Sequence, residues 1–322
     1  MNARDNYLIA ARGGKPERLP LFPDDCNMFT LEFWKKHLPE TGADFCNIRW
    51  IQDAVGSMPD PKWHAMEELS QWRDTIHFPV LAEQDWEGWA RAFREKSDPK
   101  KVNIALLNTM GIFLIPVNML GWEKALCAVL EEPEEMDELL RAITDFLLEI
   151  LDYLGKYIHP DIVFSGDDFA GGSGPFLARH VFQRVYKPYL IEICDKIHQI
   201  GALAEFHCCG NCQYVIEEAI DCGYDICQLP EPNAQLERDK ERFGSRLVIT
   251  GGWDRRGPGS RENAPEEVVR QSVRTAVDTY GRDGALIFWD GGIIGTGEDT
   301  KNKLRWAYDE ARRYGAVVYR EA

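Results

Sequence analysis

The chain of 322 residues is long enough for one large α/β domain, and 37 lysines and arginines against 53 aspartates and glutamates give it a formal charge of −16. This negative balance argues against general binding to nucleic acids or anionic membranes. No run of 18 apolar residues occurs, and no apolar stretch follows a basic start, so neither a membrane span nor a signal peptide is predicted. Nine cysteines without a regular framework fit a reducing cytoplasm.

The first half of the chain is irregular, with short apolar runs as its strand candidates. These runs lie at 19–25, 43–50, 75–82 and 102–109. Two helices are expected before the next strand, near 113–130 and 134–157. Pro133 marks the break between the two helices, because proline is favoured in the first turn of a helix.

The second half repeats one unit five times: an apolar run, a polar or glycine turn, and an amphipathic helix. The strands are predicted at 161–168, 202–209, 225–230, 247–253 and 285–292, and the helices near 178–200, 211–221, 234–243, 265–280 and 301–314. Continuous apolar strands between helices are typical of a parallel sheet covered on both faces. We therefore predict an α/β single domain over 1–322, a (β/α)8 TIM barrel with an N-terminal extension, with an open doubly wound sheet as the alternative.

Polar and glycine residues stand where the predicted strands end. They are Asp24, Asp25, Asp167, Asp168, His207, Cys209 and the runs 251–256 and 290–292. Both candidate folds place function at the carboxyl ends of their strands. A purely structural core would not select such residues, so this end of the sheet is the predicted site.

The stretch AEFHCCGN carries the densest group of metal-ligating residue types. Side chains alternate along a strand, so His207 and Cys209 point to one face and Cys208 to the other. Two such residues on a rigid strand suit two corners of a tetrahedral zinc site. Asn211 can cap the following helix, and Glu205 shares the His207 face by the same alternation.

Other interpretations of these residues stay open. His207 and Cys209 are also compatible with ordinary core residues whose hydrogen bonds are satisfied. A structural zinc site would use four cysteines whose spacing matches no common zinc motif closely, namely Cys209, Cys212, Cys222 and Cys227. A redox pair of Cys209 and Cys212 lacks the other marks of a thioredoxin-like unit.

Several segments together resemble the uroporphyrinogen decarboxylase family, and particularly its methyltransferase branch. AEFHCCGN is similar to the family's His-x-Cys-Gly-Asn signature through His207, Cys209, Gly210 and Asn211. The other segments are DIVFSGDDFAGGSGPFLARHVFQRVYKPYL (161–190), CGYDICQL (222–229), VITGGWD (248–254) and, more faintly, RLPLFPDD (18–25). The resemblance covers residues 160–315 and implies a (β/α)8 barrel.

The methyltransferase branch implies a specific chemistry. In that branch a His-x-Cys pair and a later cysteine bind zinc, and a methyl group passes to or from a corrinoid protein. His207 and Cys209 match the first two ligands, but no cysteine follows Cys227. The carboxylates that can replace it are Asp290, as the nearest, with Glu205 and Glu231 as competitors. The decarboxylase branch fits less well, since its arginine-rich element is replaced by FPDDCNMF (22–29).

The expected function is zinc-dependent methyl transfer between a small methylated donor and a corrinoid protein, in the cytoplasm. A carboxylate in place of one thiolate makes the metal harder and more Lewis-acidic, which favours an O-methyl donor and O-demethylation. Asp167 and Asp168 are candidates for proton delivery to the leaving oxygen or for hydrogen bonds that orient the ligands, with a helix N-terminal or loop role as the alternative. A homodimer is compatible with the sequence, which leaves the oligomeric state open.

Residues expected to contact the substrate also lie at predicted strand ends. The aromatic candidates for an apolar wall are Trp50, Trp253, Phe288 and Trp289, with barrel filling and helix packing as the alternative. Arginines after strand 247–253 can hold a carboxylate or a phosphate, unless they are only solvated surface residues. The polar candidates on this rim are Asn211, Asp254, Arg255 and Arg256.

Rival functions make different predictions. A metal-free decarboxylase or lyase that uses Asp167 and Asp168 should stay active in a strong chelator. A non-catalytic subunit that docks on a corrinoid protein should bind its partner without depending on His207. A plain ligand-binding barrel is a further alternative.

Overall fold

The computed structural model describes residues 1–31, 50–53, 56–59, 64–108, 111–228, 231–292 and 297–320, with the backbone alone for 50–53, 56–59, Asn108 and Arg320. The described strands are β1 Cys26–Thr30, β2 Trp50–Asp53, β3 Gly56–Pro59, β4 Val102–Asn108, β5 Ile162–Gly166, β6 Ala170–Gly171, β7 Gly174–Pro175, β8 Leu203–His207, β9 Ile226–Gln228, β10 Val248–Gly252 and β11 Leu286–Trp289. The described α-helices are α1 Ala3–Ala11, α2 Trp72–Thr75, α3 Trp86–Lys96, α4 Leu114–Leu120, α5 Trp122–Glu131, α6 Pro133–Tyr153, α7 Arg179–Val185, α8 Lys187–Gln199, α9 Tyr214–Cys222, α10 Ala234–Phe243, α11 Glu266–Tyr280 and α12 Glu298–Arg320. None of these helices is both long and apolar enough to cross a bilayer.

A parallel sheet of seven strands organises the described residues. Its order is β1-β4-β5-β8-β9-β10-β11, so each strand pairs with the next parallel strand along the chain. The sheet is curled, since its two edges approach each other: Leu21, just before β1, forms a parallel bridge with Phe288 of β11. Two hydrogen bonds of 2.9 Å hold this bridge, from Phe22 N to Phe288 O and from Phe288 N to Pro20 O.

The topology confirms part of the predicted fold. The strands follow chain order without the switch point of a doubly wound sheet, which removes that alternative. Seven strands, rather than the eight of a closed (β/α)8 barrel, belong to the main sheet in the described ranges. The fold is therefore an α/β sheet curled toward a TIM barrel.

The second half agrees with its predicted units, whereas the first half departs from them. The strand predicted at 75–82 is wrong: Ile76 N instead donates to Trp72 O at the end of α2, and a 3-10 turn begins at Leu81. The strand predicted at 19–25 begins later, at Cys26, because Asp25 N turns back to Leu21 O. The expected strand at 43–50 falls almost wholly outside the described residues.

Local signals explain where several helices begin and end. Pro133 starts α6 with acidic residues in its first turn, and the Asn233 side chain accepts hydrogen bonds from the first backbone N–H groups of α10. The helix predicted at 113–130 is divided at Gly121, whose φ of 83° is incompatible with a continuous α-helix. The helix predicted near 178–200 is likewise two helices, α7 and α8.

The sheet separates two apolar layers by strict alternation of its side chains. On the inner face, Ile104, Ile162 and Val248 form one cluster with Tyr7 of α1, which packs at the amino ends of the strands. Outward residues such as Phe206 belong to the larger cluster between sheet and helices. Helix α1 thus covers one end of the sheet interior. The prediction that Asp24 and Asp25 follow a strand is wrong, because both precede β1, whereas Asp167, Asp168 and Cys209 lie beyond the carboxyl ends of β5 and β8.

Candidate metal centre

His207 ends β8 on the inner face, in phase with Leu203 and Glu205. Its Nε2 atom lies 3.3 Å from the Sγ of Cys209, which follows the strand by two residues. Cys208, between them, is buried in the outer cluster. The structure thus brings the imidazole and the second thiol together and turns the intervening thiol away.

Asp168 completes a group of three ligand types. Its Oδ1 atom accepts a 2.6 Å hydrogen bond from Cys209 N and lies 3.6 Å from His207 Nε2. One potential ligand atom from each of the three residues lies within 4.8 Å of the other two. The pairing of β5 with β8, with Gly166 opposite His207, places the end of one strand beside the end of the other.

The donor set and its spacing fit zinc. With Zn–N near 2.1 Å and Zn–S near 2.3 Å, a tetrahedral site would separate nitrogen from sulfur by about 3.6 Å and nitrogen from oxygen by about 3.4 Å. The corresponding separations here are 3.3 Å and 3.6 Å. One nitrogen, one sulfur and one oxygen donor would leave a fourth position for a reactant, as in catalytic zinc sites.

The surroundings of Cys209 control its charge. Burial raises the pKa of the Cys209 thiol, the nearby Asp168 carboxylate raises it further, and the positive charge of Arg255 lowers it. The net direction is upward, so the thiol stays protonated without a cation beside it. A divalent cation would reverse this balance and stabilise the thiolate.

A chain of polar side chains lies on the other side of His207, inside the sheet. His207 Nδ1 is 2.9 Å from Gln228 Oε1, and Gln228 Nε2 donates to Glu205 Oε1 at 3.5 Å. Thr250 Oγ1 donates to the same carboxyl oxygen at 2.7 Å. Burial raises the pKa of Glu205 to about 7, although the hydrogen bonds from Thr250 and Gln228 act in the opposite direction. Glu205 therefore lies behind His207 and not among the three converging ligand atoms.

Two further carboxylates proposed for the site, Asp167 and Asp290, accept hydrogen bonds from other elements, and the third, Glu231, pairs with Arg256 at 2.8 Å. Asp167 is buried and accepts backbone hydrogen bonds from Phe113 N at 2.8 Å and Leu114 N at 3.1 Å, at the start of α4. Burial raises its pKa well above the usual value, while these two bonds lower it. Asp290 accepts a 2.7 Å hydrogen bond from the Tyr308 hydroxyl of α12, so it faces the helix layer. The structure does not bring Asp290 into the converging group.

The predicted aromatic residues divide between the two faces of the sheet. Trp253 is 2% exposed, and its Nε1 donates to Ser272 Oγ of α11 at 2.7 Å, so it packs against a helix. Trp289 is half-buried on the inner face, with its ring centroid 5.2 Å from that of Phe22. Phe288 is fully buried in the outer cluster. The side chain of Trp50, which begins β2, lies outside the described residues.

The polar rim residues lie close to the group without joining it. Arg255 donates to Gly291 O at 3.3 Å and lies near enough to Cys209 to influence its thiol. Asn211 N donates to Gly171 O at 2.9 Å, which ties the loop after β8 to the β6–β7 hairpin. Asp254 is exposed and lines a cavity of about 680 Å³ between α10 and α11.

Sequence reasoning missed two features of this site. Asp168 was expected to deliver protons or to orient the ligands by hydrogen bonds, but its place beside His207 and Cys209 as a third ligand type was not predicted, because the turn that brings it to Cys209 N cannot be read from strand periodicity. Gln228 was not singled out at all. Its signal was a polar residue in phase with Ile226 in a buried strand, directly opposite His207 in the parallel register.

Comparisons with known proteins identify the family. A family model described as Uroporphyrinogen decarboxylase (URO-D) matches residues 94–302, more than half of the chain. A solved structure of a methyltransferase from Methanosarcina mazei has a TM-score of 0.64 and 13% sequence identity, covering 98% of this chain and 99% of that chain. At this identity the likeness concerns the fold alone. The search of curated proteins returned no match. The resemblance noted in the sequence is thus confirmed for the family: the chain belongs to the uroporphyrinogen decarboxylase family.

Proposed function

We propose that this protein is a zinc-dependent methyltransferase that moves a methyl group between a small methylated donor and a corrinoid carried by a partner protein. The observation that carries the proposal is the convergence of Asp168, His207 and Cys209 at the carboxyl ends of two neighbouring strands. Family membership and the fold of the methyltransferase neighbour support it. We also propose that the complete sheet closes into the eight-stranded barrel of the family.

The protein's own residues would hold the metal in a mixed donor set. Asp168, His207 and Cys209 would supply oxygen, nitrogen and sulfur. Asp168 would stand in the place of the later cysteine that the family resemblance implies. Zinc bound there would supply Lewis acidity to polarise the oxygen of a methyl ether, so that a poor alkoxide or phenoxide can leave. This donor set is the reason to prefer demethylation of an O-methyl donor over the other role of such a zinc site, the activation of a thiol as methyl acceptor.

Nearby side chains would orient the donor. Arg255 lies close to Cys209 and would suit a carboxylate or phosphate on the donor that displaces its 3.9 Å pairing with Glu231. Trp289 and Phe22 supply apolar surface on the inner face. Asp167 is held by two backbone N–H groups, so we assign it to positioning the loop that carries Asp168, and not to proton transfer.

The residues at the start of the sheet do not favour a tetrapyrrole poly-carboxylate. Arg18 is paired in two bonds of 3.0 Å with Asp25, and Arg312 is paired with Asp24. The segment 22–29, where the family resemblance implies free arginines, thus offers carboxylates that are already paired with arginines from outside it. The metal-free decarboxylase therefore remains only as an outcome of the test below.

Metal content tests the proposal directly. Protein purified without chelator and supplied with zinc should hold about one zinc per chain by mass spectrometry of metals. Cys209→Ser should lose it, whereas Cys208→Ser, a matched change of the neighbouring thiol that faces the outer cluster, should keep it. Absence of zinc from the native protein after reconstitution would contradict the metal assignment.

Activity tests the reaction class. With reduced cobalamin as acceptor and 3-methoxybenzoate as probe donor, methyl transfer should be visible as the change in cobalamin absorbance. His207→Ala should abolish this transfer. Equal methyl transfer in a strong chelator would contradict the role of the metal. Release of carbon dioxide from the probe in the chelator, without methyl transfer, would support the metal-free decarboxylase and contradict the proposal.

A further inference from the structure

The imidazole of His207 has two nitrogens with different neighbours. Nε2 faces the converging ligand group, 3.3 Å from Cys209 Sγ. Nδ1 faces the interior of the sheet, 2.9 Å from Gln228 Oε1. A neutral imidazole carries its hydrogen on only one nitrogen, and only the other nitrogen can bind a metal. The partner of Nδ1 therefore decides whether Nε2 is available.

Glu205 determines which end of the Gln228 amide meets His207. The carboxyl oxygen Oε1 of Glu205 accepts from Gln228 Nε2 and from Thr250 Oγ1. If the amide were reversed while the Glu205 carboxyl is ionised, the amide oxygen would face the Glu205 oxygen with no hydrogen between them, which is unfavourable in a buried place. The amide nitrogen is thus directed at Glu205, and the amide oxygen is left for His207 Nδ1.

From this geometry we infer that Gln228 and Glu205 are positioning residues that keep the hydrogen of His207 on Nδ1, so that Nε2 presents its lone pair to the ligand group. The inference deepens the proposed function, on which it rests for the identity of the metal. The tautomer itself is a property of the metal-free protein. It can be measured whether or not zinc binds.

One other group around His207 favours the same tautomer: the Cys209 thiol, 3.3 Å from Nε2, can donate its hydrogen to that nitrogen. The remaining neighbours do not act on the hydrogen. Asp168 Oδ1 is 3.6 Å from Nε2, beyond hydrogen-bond range, and already accepts from Cys209 N at 2.6 Å. The ring of Phe164 lies 5.4 Å from the imidazole by centroids and offers no acceptor. Within the described residues, Gln228 supplies the hydrogen bond at Nδ1.

His207, Gln228 and Thr250 lie at the same height in three adjacent strands, which indicates a shared role. His207 is opposite Gln228 in the pairing of β8 with β9, and Gln228 is opposite Thr250 in the pairing of β9 with β10. Below Gln228 and Thr250 on this face are the apolar Ile226 and Val248, and below Glu205 is the apolar Leu203. Glu205 and Thr250 are fully buried, and polar groups in such a place are costly unless connected. A connected chain that ends on a ligand nitrogen accounts for them.

The tautomer can be observed by nitrogen-15 NMR of metal-free protein labelled at histidine. The His207 signals are assigned by their loss in His207→Ala. Wild type should carry the hydrogen on Nδ1. Gln228→Met, which keeps the length of the side chain but removes the acceptor, should move a substantial fraction to Nε2. Cys227→Ala, a change on the same strand that faces the outer cluster, should leave the tautomer as in wild type.

Two changes of Glu205 separate positioning from general damage. Glu205→Gln keeps an acceptor oxygen for the Gln228 amide, so the Nδ1–H tautomer should persist. Glu205→Leu removes that acceptor, frees the amide to reverse, and should favour hydrogen on Nε2. A wild-type tautomer with hydrogen on Nε2, or identical tautomers in the Gln and Leu variants, would overturn the inference. The wild-type measurement needs only His207→Ala to fold, for the assignment.

Metal affinity provides the second measurement. Gln228→Met should weaken cobalt(II) binding, followed by visible absorption, by about 10- to 100-fold, the usual effect of removing a partner of a ligating histidine. Unchanged affinity in a folded variant would count against the positioning role. If the tautomers behave as expected and wild type binds no metal, the positioning stands and the zinc proposal fails.

Discussion

Trp253 tests whether a residue predicted to contact the substrate contributes to stability instead. It was a candidate for the substrate wall, but it is 2% exposed and donates to Ser272 Oγ at 2.7 Å on α11. Trp253→Phe removes the indole N–H and roughly 40 Å² of buried apolar surface. At about 25 cal/mol per Å² the lost area costs about 1 kcal/mol, and the lost hydrogen bond costs about 1 kcal/mol more.

The expected loss is therefore about 2 kcal/mol of unfolding free energy. An unfolding entropy near 2.1 cal/mol/K per residue, over 322 residues, converts this loss to a decrease in melting temperature of about 3 °C. Urea unfolding followed by far-ultraviolet circular dichroism measures the unfolding free energy, and calorimetry measures the melting temperature. Zinc affinity should not change, because Trp253 faces the helix layer and His207 the interior.

Trp289→Phe is the matched control, since it makes the same chemical change on the half-buried inner face. It should cost less stability than Trp253→Phe and should weaken binding of the probe donor. The reasoning fails if Trp253→Phe is as stable as wild type, or if it impairs donor binding more than Trp289→Phe does.

Three further results are expected. Zinc at a thousand times its dissociation constant should stabilise wild type by about 4 kcal/mol and raise its melting temperature by about 6 °C, while His207→Ala should show no shift in calorimetry. Glu218 is fully buried and forms ion pairs with Arg179 and Lys187. Glu218→Gln should therefore lower the free energy of unfolding in urea by about 3 kcal/mol, and an unchanged value would show that the two ion pairs do not stabilise the protein. Burial lowers the pKa of Lys240 to about 8 from 10.5, so the unfolded chain binds more protons between these values. The stability of wild type relative to Lys240→Met should therefore rise by about 3 kcal/mol from pH 8 to pH 10.5, and a flat difference would contradict this burial effect.

Periodicity and motif spacing were sufficient for much of the molecule. The five strand–helix units after residue 160 appear with small shifts at their ends, because each inner and outer face is read from alternation along a short strand. The same alternation correctly separates Cys208 from His207 and Cys209. The first half was harder, since 75–82 contains apolar residues that serve helices and turns, and periodicity over so few residues cannot distinguish these from a strand.

The sequence by itself determined the family, the strand on which His207 and Cys209 stand, and the end of the sheet where function is expected. Only the tertiary structure decided their neighbours: Asp168 beside Cys209, Gln228 and Glu205 behind His207, and Asp290 turned to α12. The physical reason is that alternation specifies the face on which a side chain lies. Which side chains from other strands share that face at the same height depends on strand register and on the turns after the strands, and both are set by packing across the whole sheet.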